Sequence, residues 1–286
     1  MVIRAGGLAL ALAALPCGAG LAAPSAAPPE TPPARVVSIN LCTDQLAMRL
    51  AAPGQLVSVS MLARDPRSST MAEAAKAWPV NQGLAEEVYL LHPDLVLAGR
   101  YTARASVEML TRLGVTVVIF DPADSLEALR AGIEKMGAAL GREEAAAAEL
   151  AAFDARLAAI RAAAPAPARR PTAATYEANG YTSGAETLAG EIIETAGYRP
   201  IAGDLGFPYG GMLPLEALVM ADPDLVIRGA RQPGASRSEE VLDHPALAAL
   251  SGASAIVEDH DWICGLPSVL DAVERLMRAA PPEGAR

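Results

Sequence analysis

The side chains able to do chemistry are few, and most of them bind rather than react. Cys42 and Cys264 each follow the end of an expected strand. Three readings of the pair stay open: a disulfide, soft thiolate ligation of a metal or cofactor, and two separate buried thiols. His260 stands four residues before Cys264, a ligand spacing on a helix only, and the region reads as strand and loop. Arg64, Arg100, Arg228 and Arg231 suit a carboxylate, a phosphate or an anionic ferric chelate, with solvated loop charge as the plainer reading. Tyr101, Tyr176, Tyr181, Phe207, Tyr209 and Trp262 offer flat apolar faces, although Trp262 could equally pack on the terminal helix. Asn40, Thr43 and Met61 complete the loop set. The chain has no Gly-x-Ser-x-Gly elbow, no His-Glu-x-x-His and no Gly-rich phosphate loop. Ser183, in Thr182-Ser183-Gly184, has no His nearby to activate it. No catalytic residue, resident metal or intrinsic cofactor is expected.

These residues need elements to hold them. Arg35–Ile39 reads as a buried strand, Thr43 as the N-cap of a helix over 44–51, and Leu56–Ser60 as a second strand. A helix over 86–91, a strand at Leu95–Leu97, a helix over 106–113 and a strand over 115–120 follow. The second half repeats the outline, with a strand over 172–176, a helix over 187–196, a helix over 215–220, a strand over 225–227 and an amphipathic helix over 267–279. Such alternation means α/β with mainly parallel sheets. Between the halves, residues 125–164 are rich in Ala, Leu and Glu. Leu150, Phe153, Leu157 and Ile160 form one apolar stripe on a helix over 143–163 of about 30 Å. Two lobes joined by a long helix leave a cleft, and ligands of α/β sheets bind beyond the carboxyl ends of the strands.

An internal repeat supports this division. Residues 84–99 align without gaps on residues 214–229, an offset of 130. Both copies share Glu, Pro-Asp-Leu-Val and a closing Gly. Pro stops the helix, Asp supports the turn and Leu-Val feeds the sheet. The matched Glu86 and Glu216 have no such local duty and suggest a two-point docking surface.

The ends of the chain and its composition set the compartment. The net charge of −10 disfavours a nucleic-acid partner. Residues 1–22 read as a cleaved secretory signal, with Arg4 before a short apolar run and small residues at Gly20 and Ala22. Lipidation at Cys17 is the alternative, although Pro16 fits a lipobox poorly. Residues 23–34 read as a disordered Pro- and Ala-rich lead-in, 35–141 as the first α/β lobe, 142–164 as the connecting helix and 165–286 as the second α/β lobe. The mature protein is expected to be a periplasmic monomer.

With Arg35–Ile39 and its loop, both Pro-Asp-Leu-Val repeats, Thr182-Ser183-Gly184 and Asp261-Trp262 followed by Pro267, the chain resembles the helical-backbone substrate-binding proteins of ABC importers for cobalamin, ferric siderophores and haem. The resemblance spans nearly all of residues 35–279. It implies two Rossmann-like lobes bridged by one rigid helix, modest closure on binding, and one Glu per lobe docking onto permease arginines. Glu86 and Glu216 fall on those positions. It also implies a metal-chelate ligand held by the cleft loops, with Asn40, Cys42, Thr43, Arg64, Arg100, Tyr101, Tyr181, Phe207, Tyr209, Arg228, Trp262 and Cys264 as candidate contacts. Ferric siderophore and corrinoid stand close together, with the arginine supply favouring the siderophore. A haem carrier through Tyr101 or Tyr181, a bare metal-ion carrier through Cys42, Cys264 and His260, and a chelatase-like enzyme on the same scaffold are the rivals.

Overall fold

The computed structural model describes residues 31–163, 170–231, 234 and 236–279. The expected signal segment lies outside these residues, as does most of the lead-in. Pro33 and Ala34, in the part of the expected disordered lead-in that is described, are hydrogen-bonded to the first half. Gln55 donates to the Pro33 carbonyl at 2.8 Å, and Ala34 N donates to Asp94 Oδ2 at 2.9 Å.

The first half runs β1 (Val36–Ser38), α1 (Leu41–Leu50), β2 (Leu56–Ser60), β3 (Val80–Asn81), α2 (Ala85–Tyr89), β4 (Leu95–Gly99), α3 (Arg104–Arg112) and β5 (Thr116–Phe120). Its strands make one parallel sheet in the order β3-β2-β1-β4-β5. Next come α4 (Leu126–Leu140) and α5 (Glu143–Ala163). Ser125 caps α4, and Gly141, with φ 64, closes it in the left-handed region where glycine is favoured. The second half runs β6 (Thr172–Thr175), β7 (Tyr181–Thr182), α6 (Leu188–Thr195), β8 (Arg199–Pro200), β9 (Gly211–Met212), α7 (Leu215–Ala221), β10 (Leu225–Gly229), α8 (Pro245–Ala248), β11 (Ala253–Val257) and α9 (Val269–Arg278). A second parallel sheet has the order β11-β10-β6-β8, and β7 pairs antiparallel with β9.

Each sheet is apolar on both faces, as a parallel sheet covered by helices requires. Val37, Val96 and Val117 turn outward onto Val88 of α2 and Leu110 of α3. Ala174 and Val226 turn outward onto Leu218 of α7. The inner faces meet in one continuous cluster. It runs from Leu97 and Leu46 through Ile133 of α4 and Leu157 of α5 to Ile192, Ile227 and Leu270. Each fully buried Leu or Ile there contributes about 1.5–3 kcal/mol. Polar links reinforce the same junction. Glu191 of α6 accepts from Leu126 N at the start of α4 (2.6 Å), and Arg156 of α5 pairs with Asp271 and Glu274 of α9 at 2.6 and 2.9 Å.

The repeat is physical as well as textual. His92 and Asp222 occupy equivalent positions before the two prolines, and both have positive φ, 48 and 38. Each is an unwound last turn that lets Pro follow. The following aspartates do more than support a turn. Asp94 Oδ2 accepts from Ala34 N and Arg35 N at the start of β1, and Asp224 Oδ2 accepts from Thr172 N and Oγ1 at the start of β6. Each repeat therefore clamps the neighbouring parallel strand at its entry.

Candidate functional site

The carboxyl ends of β1, β4 and β5 open onto a cleft of about 220 Å³. Its wall on the side of the first sheet includes Asn40, Cys42, Thr43, Arg100, Tyr101 and Asp121, while Ile263 and Gly265 reach it from the loop after β11. The site is built from strand ends outward. Asn40, directly after β1, caps α1: its Oδ1 accepts from Cys42 N at 3.0 Å and Thr43 N at 3.4 Å. The cap expected at Thr43 is corrected to Asn40. Thr43 is already inside the helix, and its buried hydroxyl donates to Asn40 O at 3.0 Å and meets Ser38 Oγ at 2.8 Å. Asn40 also explains Gly99 at the end of β4. A Cβ there would sit 2.6 Å from Asn40 Nδ2.

Cys42 and Cys264 form a disulfide across a sequence separation of 222, with Cα atoms 5.2 Å apart. Of the three readings the sequence left open, the structure has the disulfide, so neither sulfur is a thiolate ligand. Cys264 is only 2% exposed, whereas Cys42 is half-buried and lines the cleft. Beside the bond, Gly265 lies so close to the first half that a Cβ on it would fall 2.3 Å from Ala123 Cβ. His260 Nδ1 lies 3.0 Å from the Pro66 carbonyl across the same junction. His260 thus bridges the halves and does not share a metal site with Cys264.

The other expected residues divide clearly. Tyr101 is 84% exposed at the cleft rim, and Arg100 beside it pairs with Asp121. Tyr181 and Tyr209 are exposed on the loops that carry β7 and β9, and Phe207 packs its ring over Gly211 between them. Arg64 lies elsewhere: its guanidinium donates to the Trp78 carbonyl at 2.5 Å and the Ala75 carbonyl at 3.4 Å, which holds the loop after β2. Arg228 projects from the outer face of β10 into a separate groove with Leu242, His244 and Leu247, and its Nε donates to Ser254 Oγ at 3.0 Å. Arg231 pairs with Asp243. Trp262 is half-buried against the common core, not among the cleft-lining residues. The arginines therefore do not converge. Tyr176 is fully buried.

Several exposed side chains on the strand-end loops are apolar, and Tyr101 and Ile263 among them line the cleft. Met61 and Leu62 follow β2, Tyr101 follows β4 and Ile263 follows β11, and all are exposed, as are Tyr181 and Tyr209. Asp121, Ile263 and Gly265 were not singled out from sequence, although Asp121 directly follows an expected strand. Glu177, just past β6, was also passed over. Burial and the nearby Asp259 carboxylate push its pKa up to about 7, and burial with Glu258 alongside raises Asp259. Glu86 and Glu216 are both exposed and both second residues of their helices, α2 and α7.

Two parallel sheets, with the strand ends of the first and the loop after β11 of the second meeting at one cleft, define a two-lobed α/β protein. The family profile described as "Periplasmic binding protein" matches residues 36–255, and the chain belongs to that family. A cobalamin-binding protein of Halobacterium salinarum is 31% identical over 232 residues, covering 79% of this chain and 60% of that one. The chain thus spans about three-fifths of the length of that curated relative. Among solved structures, the periplasmic heme-binding protein BhuT in complex with two hemes shares 26% identity at a TM-score of 0.67, covering 86% of this chain and 97% of that one. A periplasmic heme-binding protein from Pseudomonas aeruginosa shares 25% identity at a TM-score of 0.71, covering 88% and 94%. The α/β class, the two lobes and the family agree with the sequence expectation, and membership of a binding-protein family agrees with the expectation that the chain is not an enzyme.

Proposed function

We propose that the chain is the periplasmic ligand carrier of an ABC importer, secreted through its N-terminal signal, and that it holds a metal chelate between its lobes. The observation that carries this reading is that Tyr101 and Ile263, both exposed apolar side chains, line the cleft from opposite halves; with Met61, Leu62, Tyr181 and Tyr209, exposed on other strand-end loops, they form the proposed collar. A flat or greasy macrocycle buries such a collar at roughly 25 cal/mol per Å² removed from water. Asn40, Cys42, Thr43 and Arg100 line the cleft beneath it, and Cys264, 2% exposed, adjoins it through its bond to Cys42. The scattered arginines remove the argument for a highly anionic siderophore, so a corrinoid is the first choice and a neutral ferric chelate the second. Haem is a further reading, favoured by the exposed Tyr101 phenol, a candidate axial oxygen, and by the two haem-binding structural relatives. A bare-ion site has no support: among the described residues no group of three or more His, Cys, Asp or Glu side chains could hold a metal. Glu86 and Glu216 are the points at which the carrier meets the permease.

Tryptophan fluorescence of the mature protein, titrated with cobalamin, ferric hydroxamate, haem and free metal ions, tests the reading. Trp262 adjoins Ile263, and Trp78 reports from the first lobe. Saturable quenching by one chelate, lost in Trp262→Phe and kept in Trp78→Phe, supports it. Tight binding of a bare ion with no response to any chelate refutes it.

A further inference from the structure

We infer that the Cys42–Cys264 disulfide is a specificity-determining strap across the ligand cleft, fixing the separation of the lobes at its floor. The inference rests on the carrier reading for its ligand, but not for its mechanics. The chain crosses from the first half to the second at α5, and the shared core and ion pairs that join the halves elsewhere are non-covalent and can yield. The disulfide adds a second covalent link, between the first turn of α1 and the loop after β11. Disulfides hold Cα atoms within about 4.4–6.8 Å, and here the distance is 5.2 Å. The floor can therefore widen by no more than about 2 Å while the bond is intact.

The neighbouring links cannot impose that limit. The Gly265–Ala123 apposition and the His260–Pro66 contact are non-covalent and can separate at modest cost. The strap also lies on the ligand's path, because Cys42 lines the cleft and Cys264 sits between the lining residues Ile263 and Gly265. A pocket of about 220 Å³ is smaller than the roughly 300–1,000 Å³ usual for small-molecule sites. A large chelate must then rest across the strap and against the collar, with only an edge of it inserted. Bulk on the inserted side is selected against, which is specificity by exclusion.

The test compares the mature chain with a Cys42→Ala/Cys264→Ala double variant, and with the parent chain reduced by a phosphine. Hydrogen–deuterium exchange is followed in residues 121–132 and 258–268. Affinities are measured for cobalamin and for cobinamide, the same ring without the lower nucleotide. Loss of the strap is expected to speed exchange in both segments by roughly tenfold or more. It is also expected to compress the cobinamide-to-cobalamin affinity ratio by about fivefold. Exchange that is unchanged in both the variant and the reduced parent, or a ratio unchanged within about twofold, overturns the inference. If neither corrinoid binds either form, the corrinoid reading fails while the exchange comparison still decides whether the strap restrains the lobes. The reduced parent keeps the test decisive if the double variant fails to fold.

Discussion

Gly265→Ala is the sharpest probe of how the lobes meet. Its new Cβ would lie 2.3 Å from Ala123 Cβ and 3.5 Å from Leu129 Cβ. Carbon atoms in contact stand about 3.5–4.0 Å apart, so one partner must retreat by more than about 1 Å. The loop has little room to do so. Cys264 on one side is covalently tied to Cys42, and Leu266 on the other is buried in the common core. Overpacking of this kind costs about 1–3 kcal/mol. In urea denaturation under oxidising conditions, Gly265→Ala should lose that amount without a change in the slope of the transition. Ala123→Gly removes the atom in the way, so the double variant should recover at least about 1 kcal/mol relative to additivity. A Gly265→Ala protein within about 0.5 kcal/mol of its parent, or strict additivity in the cycle, would show that the lobes do not meet as described.

Three further outcomes follow from the same geometry. Glu177 has a folded pKa of about 7, above its ordinary 4.5, so the folded state holds its proton longer than the unfolded state does. Below pH 4.5 both states hold the proton and the shift adds no cost, and the added cost grows as pH rises to about 7. Stability is therefore lost on raising the pH through that window, on the order of 2 kcal/mol after allowing for partial exposure. Glu177→Gln should flatten this dependence in thermal melts at pH 4.5 and 8, and an unchanged slope would remove the assignment. Glu86→Ala combined with Glu216→Ala should abolish importer-dependent uptake while leaving chelate affinity within about twofold, and normal uptake would refute the docking role. Asn40→Ala should cost about 1 kcal/mol through the lost cap of α1, read by the same denaturation, and a loss under about 0.3 kcal/mol would remove the cap assignment.

Much of the scaffold was legible because its signals are local. The helix over 143–163 was visible in its Ala, Leu and Glu content and one apolar stripe, and the structure places α5 at Glu143–Ala163. The repeat gave α2, β4, α7 and β10 because Pro and a β-branched run mark both ends of each unit. β11 was expected only as a strand without bounds ahead of Cys264: Ala-Ser-Ala-Ile-Val is a short edge strand with a mild apolar signal, and pairing with β10 fixes it. The site was less legible because it depends on direction. Arg64 and Arg228 both follow or end strands, yet one turns onto backbone carbonyls and the other onto the outer face of the sheet. The sequence carried both cysteines but not their proximity, which arises from two sheets closing on one core.

The proposed function places the ligand between the lobes, on the collar and above the disulfide. Calorimetric titration of the mature chain with a corrinoid, beside Tyr101→Ala and Ile263→Asp, tests it most directly, because these two residues reach the cleft from opposite halves. One saturable site is expected, weakened roughly tenfold or more by each substitution. Corrinoid binding that both variants retain unchanged would place the ligand elsewhere and contradict it.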